Sequence, residues 1–148
     1  MNKKNQQGQS LFELIVAIGV IGIVLLAIVN LIGNAISANN YARNRTLGIR
    51  YTQEGLEWLR GERDTSWASF MTRAAGGSGR LWCISDLDWS HSGACSADAI
   101  GSTIFSREAR LTLISPTRIQ VAVSTAWRDG SGSHESRSTI IYSDWKTL

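Results

Sequence analysis

Gln9-Ser10-Leu11-Phe12-Glu13, followed by the run Leu14 to Ile32 (LIVAIGVIGIVLLAIVNLI), decides how this chain is organised. No charged residue occurs between Glu13 and Arg43. At about 1.5 Å per residue the apolar run makes a helix of roughly 28 Å, close to the roughly 30 Å hydrocarbon thickness of a bilayer. Upstream, Lys3 and Lys4 sit in a short polar start, Met1 to Gly8. With no positive charge after the run until Arg43, they place the N-terminus in the cytoplasm and everything beyond Asn34 outside. A buried helix of a soluble protein is the bland alternative, but such helices rarely lack a polar face for this long. A cleaved secretory signal competes more directly, because Ala35-Ile36-Ser37 before Ala38 resembles a small-residue cleavage site. Against it stand an apolar stretch longer than the usual ~7–15 residues and the carboxylate of Glu13 at its mouth. A carboxylate there is costly without a partner, so it reads as functional.

Gly8-Gln9-Ser10-Leu11-Phe12-Glu13 ahead of an apolar helix resembles the type III leader of type IV pilins and type II secretion pseudopilins. The resemblance implies that a membrane-embedded aspartic prepilin peptidase cuts after Gly8 and methylates Gln9, leaving Glu13 in the fifth mature position. It further implies other pilin or pseudopilin subunits, an assembly machinery and membrane lipid as partners. Two departures stand out: Gln9 replaces the phenylalanine common in major pilins, and the helix proline many of them carry is absent. Gly19, Gly22, Asn30 and Gly33 are poor helix formers that permit local unwinding instead. In physical terms, a bundle of such helices buries the cationic amine of Gln9, and a carboxylate from the next subunit, Glu13, makes that tolerable. The competing account is that Glu13 merely favours the positive end of its own helix, worth roughly 0.3–1 kcal/mol.

Beyond the membrane the helical pattern continues. Ala35, Ala38, Ala42, Ile49, Leu56 and Leu59 fall on one stripe, with Arg43, Arg45, Glu54, Glu57 and Arg60 on other faces. Gly61 and Asp64-Thr65-Ser66 are expected to end the helix, which then runs from about Ser10 to Arg63, roughly 80 Å. The segment Gln53-Glu54-Gly55-Leu56-Glu57 with Arg60, Arg63-Asp64 and Trp67 resembles, more weakly, a stretch of minor-pilin-like proteins. The arginines invite a nucleic-acid reading, but Glu54, Glu57, Glu62 and Asp64 are interleaved with them, as on a solvated mixed-charge face. Removing Lys3 and Lys4 with the leader leaves 15 − 2 = 13 basic against 12 acidic residues. A net charge of +1 gives little drive toward phosphate, and no specific nucleic-acid binding is expected.

Arg73 to Ser102 is rich in Gly, Ser and Ala and reads as a long irregular excursion, most flexible at Gly76-Gly77-Ser78-Gly79. Cys83 and Cys95 lie in it, with no CxxC and only His91 nearby, a poor zinc site. Outside the cytoplasm they are expected to pair as a disulfide, contributing about 3 kcal/mol in the chain-entropy model. Asp86, Asp88 and Asp98 raise a calcium hypothesis, but their spacing does not match an EF-hand loop. Arg110 to Ile114, Arg118 to Trp127 and Ser138 to Trp145 read as strands, turned at Ser115-Pro116-Thr117 and Asp129-Gly130-Ser131-Gly132-Ser133 into an antiparallel meander. Laid over the helix stripe from Ala35 to Leu59, this sheet gives an α+β, pilin-like architecture. Its expected segments are a leader at 1–8, a transmembrane and polymerisation helix at 9–34, an amphipathic extracytoplasmic helix at 35–64, and a head at 65–148.

Of the six tryptophans, most are expected in the core, and Trp82 and Trp89 are the best candidates for exposure as an adhesive platform. The whole chain of 148 residues is 43% hydrophobic and 18% charged, which excludes disorder, and its single Pro116 excludes a proline-rich fibre. His91 and His134 lie in Gly/Ser-rich loops, and no GxSxG, HExxH or P-loop motif occurs, so neither catalysis nor a cofactor or metal is expected. The leading reading is a structural filament subunit, minor pilin or pseudopilin, waiting in the cytoplasmic membrane before joining an extracellular or periplasmic fibre. The alternative is a secreted or membrane-anchored extracytoplasmic binding or adhesion module.

Overall fold

The structure, a computed structural model, describes residues 6–96 and 98–144, with side chains from residue 11 onward. Lys3, Lys4 and Trp145 lie outside the described residues. The elements in order are α1 (Gln6–Thr65), α2 (Trp67–Thr72), β1 (Arg80–Cys83), β2 (His91–Ser92), β3 (Phe105–Ser115), β4 (Arg118–Asp129) and β5 (Gly132–Ser143). Two compact units divide at Asn40 and Tyr41. The described residues of the first, 6–40, are all helical.

In the second unit, α1 continues from Tyr41 to Thr65 and packs on a five-stranded antiparallel sheet of order β2-β1-β3-β4-β5. Together with the apolar N-terminal stretch of α1, this is an α+β pilin-like architecture. Thr65 ends α1, and the hydroxyl of Ser66 accepts the Ser69 N–H at 3.3 Å to cap α2, so the chain turns without an unpaired helix start. Alternation builds the sheet. Phe105, Arg107, Ala109 and Leu111 of β3 and Ile119, Val121, Val123, Thr125 and Trp127 of β4 are buried, while their neighbours face outward. Ala109, Leu111, Ile119, Val121 and Val123 pack against Leu59 of α1, Phe70 of α2, Trp82 of β1, Ile84 just after it, and Tyr142 of β5. Burying each such aliphatic side chain contributes roughly 1.5–3 kcal/mol.

The expected turn at Ser115-Pro116-Thr117 is present, and β4 and β5 close through the pair Asp129 and Gly132 around a two-residue loop. Three expectations are corrected. The segment read as an irregular excursion contains two strands, β1 and β2; β1 pairs with β3 from Arg80 opposite Leu111 to Cys83 opposite Glu108. The strands also run longer than expected, β3 beginning at Phe105 rather than Arg110.

The helix stripe differs too. Ala42 and Ile49 are exposed, and the buried positions are Gly48, Thr52, Gly55 and Leu59. Large side chains of the sheet enter where the helix has none: a Cβ on Gly48 would lie 2.6 Å from Cζ3 of Trp127, and one on Gly55 would lie 2.9 Å from Cδ of Arg107. Between them the Thr52 hydroxyl lies 2.9 Å from both Gly48 O and Thr125 Oγ1, so the only buried hydroxyl on this helix face is fully engaged. Shape, not hydrophobicity, selects this face.

Candidate functional site

The first unit presents one chemical feature on an otherwise uniform surface. Gly8 and Gln9 lie in the first turns of α1. Every large hydrophobic side chain from Leu11 to Ile36 is at least 46% exposed. An apolar surface of that extent demands lipid or protein around it, and the helix is long and apolar enough to cross a membrane. Asn30 satisfies its own amide by donating to Leu26 O at 3.0 Å. Glu13 has no such recourse: its exposed carboxylate makes no hydrogen bond or ion pair among the described residues. It stands between Phe12, Val16 and Ala17, an ion awaiting a partner from outside the helix.

The second unit is held by a buried cation that the sequence did not advertise. Arg107 is 1% exposed. Its Nε donates to Ile84 O at 3.1 Å, Nη2 to Ser85 O at 3.2 Å, and Nη1 to Tyr51 O and Glu54 Oε2, both at 2.8 Å. The guanidinium thus ties α1 to the two residues that follow Cys83. Cys83 is bonded to Cys95 as expected, with Cα atoms 4.9 Å apart. The Cys95 N–H donates to Glu108 at 2.8 Å, which returns the loop to β3. The readable signal for Arg107 was its place in the alternation Phe105, Arg107, Ala109, Leu111, an inward position carrying a charge.

With these geometries established, residues 3–29 match the family model of the prokaryotic N-terminal methylation motif. The segment is a type IV prepilin-like leader. No characterised protein and no solved structure is significantly similar to the chain. The prepilin-like leader supports a type IV pilin- or pseudopilin-like precursor, and points to a structural subunit rather than an enzyme. Processing by a prepilin peptidase and assembly with other subunits are what such a leader implies, and it fits a membrane-anchored precursor.

In the head of this prepilin-like chain, one constellation mimics a catalytic triad. His134 Nε2 lies 3.1 Å from both Ser131 Oγ and Asp129 Oδ1, and the Ser131 hydroxyl also donates to Asp129. A nucleophilic triad needs serine and aspartate on opposite ring nitrogens, with the serine proton directed at the imidazole. Here both share Nε2 and the serine proton goes to the carboxylate, so the cluster locks the β4–β5 turn. Hydrogen bonds from the Ser131 hydroxyl and N–H hold the Asp129 carboxyl well below the usual carboxylate range; those from Asn44 and His134 add to this, and burial opposes it.

Two acids of the calcium hypothesis, Asp88 and Asp98, take separate partners, and Asp86 is exposed. Asp88 accepts from Ser90 N at 3.0 Å and Ser90 Oγ at 2.6 Å, which lowers its pKa, and Asp98 faces His91 at 3.9 Å. No group of three metal-ligating side chains forms among the described residues.

None of the five described tryptophans is exposed. Trp82, expected as a candidate for exposure, is buried and donates to Arg73 O at 2.9 Å; Trp89 is half-buried and donates to Glu62 at 2.7 Å. The Arg73 guanidinium stacks 5.3 Å from both rings. The Trp89 ring lies against Trp58 of α1, Phe70 of α2 and Trp82 of β1, with centroids 4.9, 6.4 and 5.2 Å away.

Proposed function

We propose that this chain is the precursor of a structural subunit, a minor pilin or pseudopilin, of a type IV pilus or type II secretion-like filament. A prepilin peptidase cuts after Gly8 and methylates Gln9, removing a leader of residues 1–8. Residues 9–34 hold the subunit in the cytoplasmic membrane with its head outside, and then form the polymerisation core. Residues 35–64 are the amphipathic extension and 65–148 the head. In the packed core the cationic amine of Gln9 meets Glu13 of the adjoining subunit. The observation that carries this reading is a methylation motif at 3–29 on a helix whose apolar stretch, residues 9–40, holds one charged side chain, Glu13, with no partner among the described residues, while the surrounding apolar surface is uncovered. An unpaired carboxylate in hydrocarbon is costly, and pairing with an ammonium on assembly relieves that cost.

Mass spectrometry of the mature N-terminus tests it. The expected product begins at methylated Gln9, and Gly8→Ala leaves the precursor uncut. Glu13→Ala is expected to be cleaved and methylated yet to fail to enter the fibre. A product beginning near Ala38 refutes the filament reading in favour of a secreted module, an intact Met1 refutes it in favour of a permanent anchor, and normal assembly of Glu13→Ala refutes the charge pairing alone.

A further inference from the structure

The sheet is closed unequally at its two ends. One end carries the two-residue β2 and the disulfide loop; the other is β5, a twelve-residue strand paired only with β4 among the described residues. Natural edge strands are commonly shortened, bulged, interrupted by proline or lined with charge, and of these devices β5 carries only the charged pair Glu135 and Arg137. β5 has no proline, and its register with β4 runs unbroken from Gly132 to Ser143.

The direction of its free backbone groups follows from the ladder. Asp144 N–H donates to Thr117 O at 3.0 Å, and Gly132 closes the two-residue hairpin opposite Asp129. In an antiparallel pair, residues bonded to one neighbour alternate with residues whose N–H and C=O point away. The even-numbered residues of β5 therefore bond to β4. Ser133, Glu135, Arg137, Thr139 and Ile141 direct their backbone groups at the empty edge.

From this we infer that β5 is an interaction surface for a second copy of the same chain, paired antiparallel about a two-fold axis at Ser136. Arg137 and Glu135 pair with each other within the strand, Nη2 to Oε1 at 2.8 Å, and their order along it is self-complementary, which favours a second copy and sets its register. Centring on Ser136 places Glu135 directly opposite Arg137 of the other copy, twice by symmetry. Centring on 135 or 137 sets Glu against Glu or Arg against Arg, and centring on 134 or 138 leaves both charges without an opposite partner. In the favoured register, residues 133, 135, 137 and 139 form four pairs that exchange N–H and C=O in both directions.

α1 runs alongside β5 in the same direction, with the tilted rings of Tyr41 and His134 5.0 Å apart and Tyr142 Oη donating to Leu56 O at 2.7 Å. The two-fold axis thus sets the two Tyr41–Thr65 helices antiparallel. Copies paired in this way face opposite directions, so the contact joins subunits of two separate fibres and not neighbours within the proposed N-terminal packing of one.

The test uses the full chain in detergent micelles, with cysteine cross-linking under mild oxidation and light scattering. Ser136 meets its own copy at a position without backbone bonds, where Cα atoms stand roughly 4.5 Å apart, within disulfide reach. Ser136→Cys is expected to form a covalent dimer. Ser138→Cys is not, because the two copies of residue 138 lie more than about 13 Å apart along the strands. Arg137→Glu should weaken dimerisation about tenfold by replacing two attractions with two repulsions, and the added change Glu135→Arg should restore it. Thr139→Pro removes an outward N–H and no bond to β4, so it should abolish the dimer while leaving the thermal unfolding temperature near that of the parent. A monomer at all concentrations, equal cross-linking at 136 and 138, or a dimer that survives Thr139→Pro overturns the inference.

Discussion

Replacing Arg107 by methionine keeps most of the buried stem and removes the cation with its four donated hydrogen bonds. The cost can be worked from what each acceptor retains. Ile84 O still accepts from Leu87 N at 3.1 Å, and Tyr51 O keeps its helical partner, so each loses a second bond worth about 0.5–1 kcal/mol. Ser85 O is left buried with no comparable replacement, a loss of about 1–3 kcal/mol. Glu54 is 52% exposed and rehydrates, so its share is at most about 1 kcal/mol after screening. The expected loss is about 3 kcal/mol for Arg107→Met against at most about 1 kcal/mol for Glu54→Gln. All six tryptophans lie beyond residue 57, so intrinsic fluorescence during urea unfolding of the detergent-solubilised chain reports on the second unit. Equal losses for the two variants would refute the argument, because they would mean that the ion pair rather than the carbonyl cage holds the arginine. So would a change below about 1 kcal/mol for Arg107→Met.

Gly48→Ala should cost several times more stability than a helix-propensity change would give, since the added carbon meets the Trp127 ring. Gly61→Ala, with open space around it, should instead stabilise by roughly 0.5–1 kcal/mol, and paired thermal melts separate the two. The Asp129 carboxyl is depressed in the folded state, so its contribution is present above the ordinary value of 3.8 and lost as pH falls below it. Asp129→Asn should therefore flatten the acid limb of a stability profile measured between neutral pH and pH 2. Reduction of Cys83–Cys95, or Cys83→Ser with Cys95→Ser, should lower head stability by about 3 kcal/mol in the chain-entropy model, read from the urea midpoint at constant slope.

The parts of this fold written as long, uniform patterns were legible in the sequence. Leader and apolar helix rest on residue types and spacing that no tertiary contact modifies, and the alternation Ile119-Gln120-Val121-Ala122-Val123 specifies a half-buried strand on its own. What resisted reading depends on partners distant in the chain. β1 has four residues, and its place in the sheet comes from β3, more than twenty residues later. The helix face that meets the sheet is lined by Gly48, Thr52 and Gly55, so a search for apolar side chains selected Ala42 and Ile49 instead. Arg107 escaped because β3 was expected to begin at Arg110, which put the arginine outside the alternation that marks it as inward.

The bare backbone at Gly48 has one more consequence. An indole seated against a helix turn without a side chain acts as an indexing pin. Sliding the helix by one turn, about 5.4 Å, brings Asn44 or Thr52 under Trp127, and either side chain collides with the ring. The axial phase of the helix against the sheet is thereby fixed by a single missing methyl group, so a pull along the helix should meet an abrupt steric stop before any gradual loss of hydrophobic contact.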